Sequence, residues 1–321
     1  MIYSGIFNSR TGINRTNVFS TGEDIEKATD PANGSIQKLY AEDTNLNIFQ
    51  EFDRLCPLPD VKATLEKCRD SVHSWGERNR VTFDATKEHL VVLHPVQHHG
   101  AAFKLLGCMV DTDLRMLTCI DQVLSKIRPK ITAILRTRGY YNVPELIHQF
   151  KTHIWGVMEI HMGGFFHATS PLLRKFDHAQ NRFLNELGLS AAQAFLEFNF
   201  APPCLRRNIG ILGLLHKRVL GKCHPSFERL LPWYCTRFTE ARGHGHTKQL
   251  YAHWLEITNH QGLFTRSIFG MVDIYNNLPQ QAVDAMSVKC FQQYLIHIAR
   301  ARCQAGEIAW SSSFCRRTEH N

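Results

Sequence analysis

Gln37-Lys38-Leu39-Tyr40-Ala41-Glu42-Asp43-Thr44-Asn45-Leu46-Asn47-Ile48-Phe49 is the stretch on which the reading of this chain turns. The acidic pair Glu42-Asp43 sits between two β-type runs, so the stretch predicts two short strands joined at a tight turn with carboxylates at its tip. Carboxylates placed in this way offer hard oxygen ligands of the kind that suit Mg²⁺.

Working outward, residues 1–36 are rich in polar and turn-forming residues, including Asp30-Pro31-Ala32-Asn33-Gly34-Ser35, and are expected to be poorly ordered. Downstream, Pro59-Asp60 starts a helix whose Val61, Leu65, Cys68, Val72 and Trp75 share one face. Short β-type runs follow at Val81–Phe83, His89–Leu93 and Phe103–Val110. From there on the signals are helical. Ile120, Val123, Leu124, Ile127, Ile131, Ile134 and Leu135 form an apolar stripe, with a kink or interruption expected at Pro129. Ser170-Pro171 reads as an N-cap with proline at the first helical position, and Gly188 as that helix's stop. Ser190 through Gln193 forms a capping box, and Pro202-Pro203 precedes a helix from about Cys204 to Leu220 that Gly221 closes. The expected fold class is α+β: a small mixed unit followed by a long helical half.

The chain has 321 residues and a net charge of +8, unevenly spread. Between Leu114 and Pro144, Arg115, Lys126, Arg128, Lys130, Arg136 and Arg138 face the single acid Asp121. Between Phe198 and Phe227, Arg206, Arg207, Lys217, Arg218 and Lys222 face none. Two such stretches favour a polyanionic partner. The ten cysteines form no C-x-x-C pair, as expected of a reduced, intracellular chain of nucleus or cytoplasm. No apolar run approaches the ~18 residues of a membrane span. His244-Gly245-His246 with Cys223, His224, Cys235 and His253 lacks the spacing of a zinc module. Asp111-Thr112-Asp113 reads as a helix cap acting through Asp113.

The order of these features resembles the carboxy-terminal half of a non-LTR (LINE-type) retrotransposon reverse transcriptase, of the kind abundant in dinoflagellate genomes. Tyr40-Ala41-Glu42-Asp43 stands where that family has Tyr/Phe-Ala-Asp-Asp. Trp75, Asn79, Val81, Phe83 and Lys87 resemble the pattern after the following helix, and Phe103-Lys104-Leu105-Leu106-Gly107 resembles a primer-grip strand. Arg128 to Ile131, Leu135 to Tyr140 and Lys151 to Gly156 resemble the thumb. Leu173 to Gly188, with Asp177, Gln180 and Phe183, and Tyr275-Asn276-Asn277-Leu278-Pro279, with Phe291 and Leu295, complete a likeness covering residues 37 to 315.

The resemblance implies a palm remnant over 37–112, a helical thumb-like region over 113–200 and a helical carboxy-terminal region over 201–321. It implies that Glu42 and Asp43 are metal ligands for Mg²⁺ in two-metal nucleotidyl transfer. Tyr40 would stack under the nascent base pair, and Lys87 would protonate pyrophosphate as a general acid. Lys104 would touch the primer. Lys126, Lys130, Arg136 and Arg138 would track the phosphates of an RNA/DNA template-primer, with Arg206, Arg207, Lys217 and Arg218 extending the track. Tyr140-Tyr141 offer stacking surfaces for unpaired bases. Glutamate for aspartate at position 42 lengthens the ligand by one methylene, about 1.5 Å. Upstream of Tyr40 the only acids are Glu23, Asp24, Glu26 and Asp30, none in a strand-like run. The implied function is therefore that of a truncated or degenerate RNA-directed DNA polymerase, taking dNTP only with a complete palm. The alternative is a non-catalytic helical protein that binds nucleic acid or serves as an interaction scaffold.

Overall fold

The computed structural model describes residues 2–3, 6–10, 35–40, 43–48, 50–51, 57–78, 80, 88–105, 107–234, 246–257 and 259–315. The fold is α+β and mostly helical. The chain divides into two units, Met1–Thr118 and Cys119–Asn321.

In the first unit, strands β1 (Ile2–Tyr3), β2 (Ile6–Arg10), β3 (Ser35–Tyr40), β4 (Asp43–Ile48) and β5 (Gln50–Glu51) precede helix α1 (Leu58–Arg78). β3 and β4 pair antiparallel with Tyr40 opposite Asp43, the register that a tight strand–turn–strand requires. β2 lies on the other side of β4, and β6 (Glu88–His89) pairs with β2, giving the order β3-β4-β2-β6. The stretch 1–36, expected to lack order, thus supplies β1, β2 and the start of β3. On α1 the periodic face packs as anticipated, with Val61, Leu65 and Trp75 buried.

The run Phe103–Val110 is not one strand. It folds into the hairpin β7 (Phe103–Leu105) and β8 (Cys108–Val110), with Leu105 opposite Cys108. Gly107 makes the reversal possible, because its φ of 83° is open to glycine at little steric cost. Phe103 packs on Val91 in a small core. A second correction concerns the cap after this hairpin. Asp111 accepts from the Thr118 backbone N–H at 3.0 Å, whereas Asp113 accepts from the Arg115 N–H beside it.

Helix α2 (Leu117–Arg136) carries the apolar stripe inward, with Cys119, Ile120, Val123, Leu124, Ile127, Ile131 and Ile134 buried. It runs through Pro129 without a break. Pro129 and Ser125, whose carbonyl the proline leaves without its helical donor, are both exposed, so the lost bond is not a buried one. Asn142 and Glu145 form a reciprocal capping box for α3 (Val143–Phe150), which continues through a π-helical turn (Lys151–Trp155) into α4 (Gly156–Glu159). After α5 (Met162–Phe165) comes α6 (Ser170–Glu186), whose N-cap is Thr169 rather than Ser170. Ser190 and Gln193 box the start of α7 (Ala191–Phe198) as the sequence predicts.

Helix α8 (Pro203–Val219) is the hub of the second unit and packs against α14 (Val288–Gln304). Leu205, Ile209, Leu212 and Leu215 share one core with Phe291, Leu295, Ala299 and Cys303. The helices approach closely at Gly213, where a Cβ would meet the Gln292 side chain at 2.5 Å. Short helices surround this pair: α9 (Ser226–Leu230), α10 (Trp254–Ile257), α11 (Gln261–Arg266), α12 (Val272–Asn276) and α13 (Gln280–Val283). Among the described residues no helix is long and apolar enough to cross a membrane.

Candidate nucleic-acid interface

The expected catalytic turn is only partly within view. Glu42 and Lys87 lie outside the described residues, and Tyr40 and Asp43 are described only as paired strand residues. β4 has β2 as its other neighbour, with Arg10 opposite Asp43. That adjoining strand reads Ile-Phe-Asn-Ser-Arg, so it brings no carboxylate beside the acidic pair. Among the described residues no group of three His, Cys, Asp or Glu side chains could hold a metal ion. Lys104 is exposed on β7, opposite Met109.

The clearest electrostatic feature lies on α2. Burial of its apolar stripe forces the opposite side into solvent, where Lys126, Arg128, Lys130 and Arg136 are all exposed. Lys126 and Lys130, four residues apart, share one edge of that face. None of the four has an ion-pair partner among the described residues, because the acids close by are already engaged. Asp121 pairs with Lys175 of α6 at 2.9 Å, Glu186 pairs with Arg138 at 2.8 Å, and Glu145 closes the capping box of α3. The Arg138–Glu186 pair is solvent-exposed, and such pairs contribute only about 0–1 kcal/mol.

Those two ion pairs tie α2 to α6 at matching ends, so the helices run in the same direction. Arg128 follows Asp121 by seven residues, and Arg182 follows Lys175 by seven, which sets both two turns along the same seam. Arg174, His178 and Arg182, spaced by four, form a second exposed line on α6. Sequence reasoning missed Arg174 and Arg182 because α6 as a whole is not markedly basic. The four-residue spacing was the signal available.

The second basic stretch behaves differently and corrects the expectation. Arg206 lies over Trp155, its guanidinium carbon 3.6 Å from the ring centroid, and bonds to Glu159. Trp155 stacks on Phe200 and donates its indole N–H to Gln180, which in turn donates to the Ala201 carbonyl. Arg207 is buried beside Asp177 at 3.8 Å. Asp177 accepts from the Cys204 N–H in the first turn of α8, and burial holds its carboxyl above the usual range despite Arg207. Burial, aided by the Asp177 charge, pushes the Cys204 thiol up to about 12. Arg218 is buried, donates to the Leu231 carbonyl at 3.2 Å and lies over Trp233. Arg206, Arg207 and Arg218 are thus structural cations, and of this stretch only Lys217 of the expected four faces solvent unencumbered. The cavity beside Arg206 and Arg207 measures about 20 Å³, room for a single water and no substrate.

Tyr275-Asn276-Asn277-Leu278-Pro279 proves to be a clamp on α8. The Tyr275 ring is fully buried and its hydroxyl donates to His216 Nδ1 at 3.0 Å. His216 Nε2 must carry the proton, since it meets the Ala285 carbonyl at 2.8 Å. His246 Nε2 donates to the Tyr275 carbonyl, and its Nδ1 accepts from the Lys248 N–H, so neither nitrogen is available to a metal. Burial lowers the pKa of both imidazoles and keeps them neutral. The Asn276 amide pairs with both backbone groups of Leu250. His244 and Cys235 lie outside the described residues. No protein-family model, curated protein or solved structure matches this chain.

Proposed function

We propose that this chain is a nucleic-acid-binding protein, the thumb-like remnant of a non-LTR reverse transcriptase, that holds an RNA/DNA template-primer through the solvent face of α2 and does not by itself transfer nucleotides. The observation that carries the reading is the set of exposed, uncompensated cations Lys126, Arg128, Lys130 and Arg136 on one rigid helix. A helix whose inner face is buried cannot bend its charges away from one another, and a polyanion relieves their repulsion. Phosphate contacts of this kind position a duplex without reading its sequence. Residues 37–112 are the palm remnant in this reading, and its polymerase ancestry rests on the Tyr40-Ala41-Glu42-Asp43 resemblance. The absence of a carboxylate on the strand beside Asp43 supports loss of activity. Mg²⁺ and dNTP belong to an intact parent in which another aspartate completes the site.

The test is template-primer binding by the purified chain over a salt series, with and without Mg²⁺. Engagement of about four phosphates gives a log–log salt slope near −3.6. The triple variant Lys126→Glu, Lys130→Glu, Arg136→Glu flattens that slope and weakens binding by more than tenfold, with Mg²⁺ making no difference to either protein. Salt-independent binding, or a triple variant that binds as tightly as the parent, overturns the reading. Mg²⁺-dependent primer extension would restore Glu42 and Asp43 as working ligands.

A further inference from the structure

Immediately beyond the last cation of α2 the chain presents an aromatic ring to solvent. Tyr140 is 88% exposed and its neighbour Tyr141 46% exposed. Neither belongs to the core that a tyrosine pair ordinarily joins. The backbone that carries the ring is held in place. Thr137 and Arg138 close the last turn of α2 onto Ile134 and Leu135, and the Tyr140 N–H donates to the Thr137 carbonyl at 2.9 Å. Two residues on, the Asn142–Glu145 capping box fixes the start of α3. Gly139 has no heavy atom within 4 Å of where a Cβ would stand, so the turn is uncrowded at that residue. The turn therefore displays an unburied aromatic side chain just beyond a helix whose exposed Lys126, Arg128, Lys130 and Arg136 have no ion-pair partner among the described residues.

From Lys126 to Arg136 the helix rises about 15 Å. That length covers about four base-pair steps of about 3.4 Å along a duplex axis. A strand tracked along α2 in this way reaches Tyr140 at its next nucleotides. A base still paired and stacked within a duplex has no free face for the ring, whereas an unpaired base does, and stacking on tyrosine tolerates any base. We propose that Tyr140 is a stacking platform for an unpaired base, so that the preferred ligand of this surface is a duplex with a single-stranded overhang rather than a blunt duplex. The proposal rests on the reading of α2 as a phosphate track and adds the ligand class. Charge complementarity selects a nucleic acid, and the exposed ring selects its unpaired end.

The experiment compares blunt duplex with duplexes carrying a short RNA or DNA overhang, including a set in which each overhang nucleotide in turn is abasic. An abasic nucleotide keeps its phosphate and loses only its base. Expected results are tighter binding of the overhang than of the blunt end, and a loss of about 5- to 150-fold in overhang affinity for Tyr140→Ala. One abasic position should reproduce that loss in the parent protein and add nothing in Tyr140→Ala, with Tyr140→Phe close to the parent. Blunt-duplex affinity should not change in Tyr140→Ala. RNA and DNA overhangs that bind alike assign the effect to the base face, and a preference that disappears with the 2′-hydroxyl overturns stacking as its cause. If Tyr140→Ala keeps the overhang preference while the triple charge variant loses binding, the platform is wrong and the phosphate track survives. If the charge variant also binds normally, both fail.

Discussion

Guanidinium groups show how much one residue's surroundings decide. Arg206, Arg207 and Arg218 sit in a run without any acid, yet each meets a carboxylate from elsewhere in the chain: Glu159, Asp177 and Glu228. Arg128 and Arg136 come from a stretch with an acid in it and have no ion-pair partner among the described residues, because Asp121 is drawn to Lys175. The buried Arg207–Asp177 pair should behave as a structural pair does. Removing one partner leaves an uncompensated charge in the interior, so Arg207→Ala is expected to destabilise the protein by about 3 kcal/mol. Urea unfolding measures this directly. An unchanged midpoint together with weakened nucleic-acid binding would return Arg207 to the surface track. Asp111 teaches the same lesson for a carboxylate. Both Asp111 and Asp113 have the chemistry of a cap, and only the path of the hairpin decides that Asp111 reaches the Thr118 N–H.

Elements were legible wherever their signal is local. The stripe on α2 is a 3.6-residue period, and the Ser190–Gln193 box is a four-residue pattern, so both are carried by neighbours in sequence. The Asn142–Glu145 box has the same form, a local signal that the sequence reading passed over. The Phe103–Val110 run misled because β-type residues continue across Gly107, and the reversal depends on one backbone angle rather than on hydrophobicity. Pro129 misled in the other direction. Packing of seven buried side chains holds α2 continuous despite the missing donor. The helix therefore carries a penalty that alanine would relieve, and Pro129→Ala should stabilise the chain by about 1–3 kcal/mol. A raised denaturation midpoint is the check. A lowered one would mean that the proline's fixed φ, rather than the lost hydrogen bond, dominates.

At the scale of the whole molecule, the second unit is organised around α8, and its buried polar groups link stability to pH. His216 and His246 are held below the ordinary value of 6.5 by burial. The charged groups nearest them are Lys248, which opposes protonation of both, and Asp284, which favours it at His246. The unfolded chain therefore takes up protons first as pH falls through about 6.5. Stability is fully present above that pH and declines below it, by up to about 1.4 kcal/mol per pH unit for each histidine, until the folded pKa is reached. Denaturation at pH 7.5 and 5.5 should show the decline, and His216→Gln should make it shallower. An identical decline in that variant would assign the effect to other histidines.

The sequence by itself determined the α+β class, the helical second half, the inner face of α2 and a positive charge that calls for an anionic partner. These follow from periodicity, capping and composition, which act between near neighbours or simply add along the chain. Only the tertiary structure decided which of those charges are free. Glu186 lies 48 residues from Arg138 and Glu159 lies 47 from Arg206, and no local pattern announces a partner at such a distance. Packing brought the acids to Arg206, Arg207 and Arg218 and left Lys126, Arg128, Lys130 and Arg136 facing water. The surface available to a polyanion is what remains after the interior has claimed its own ion pairs.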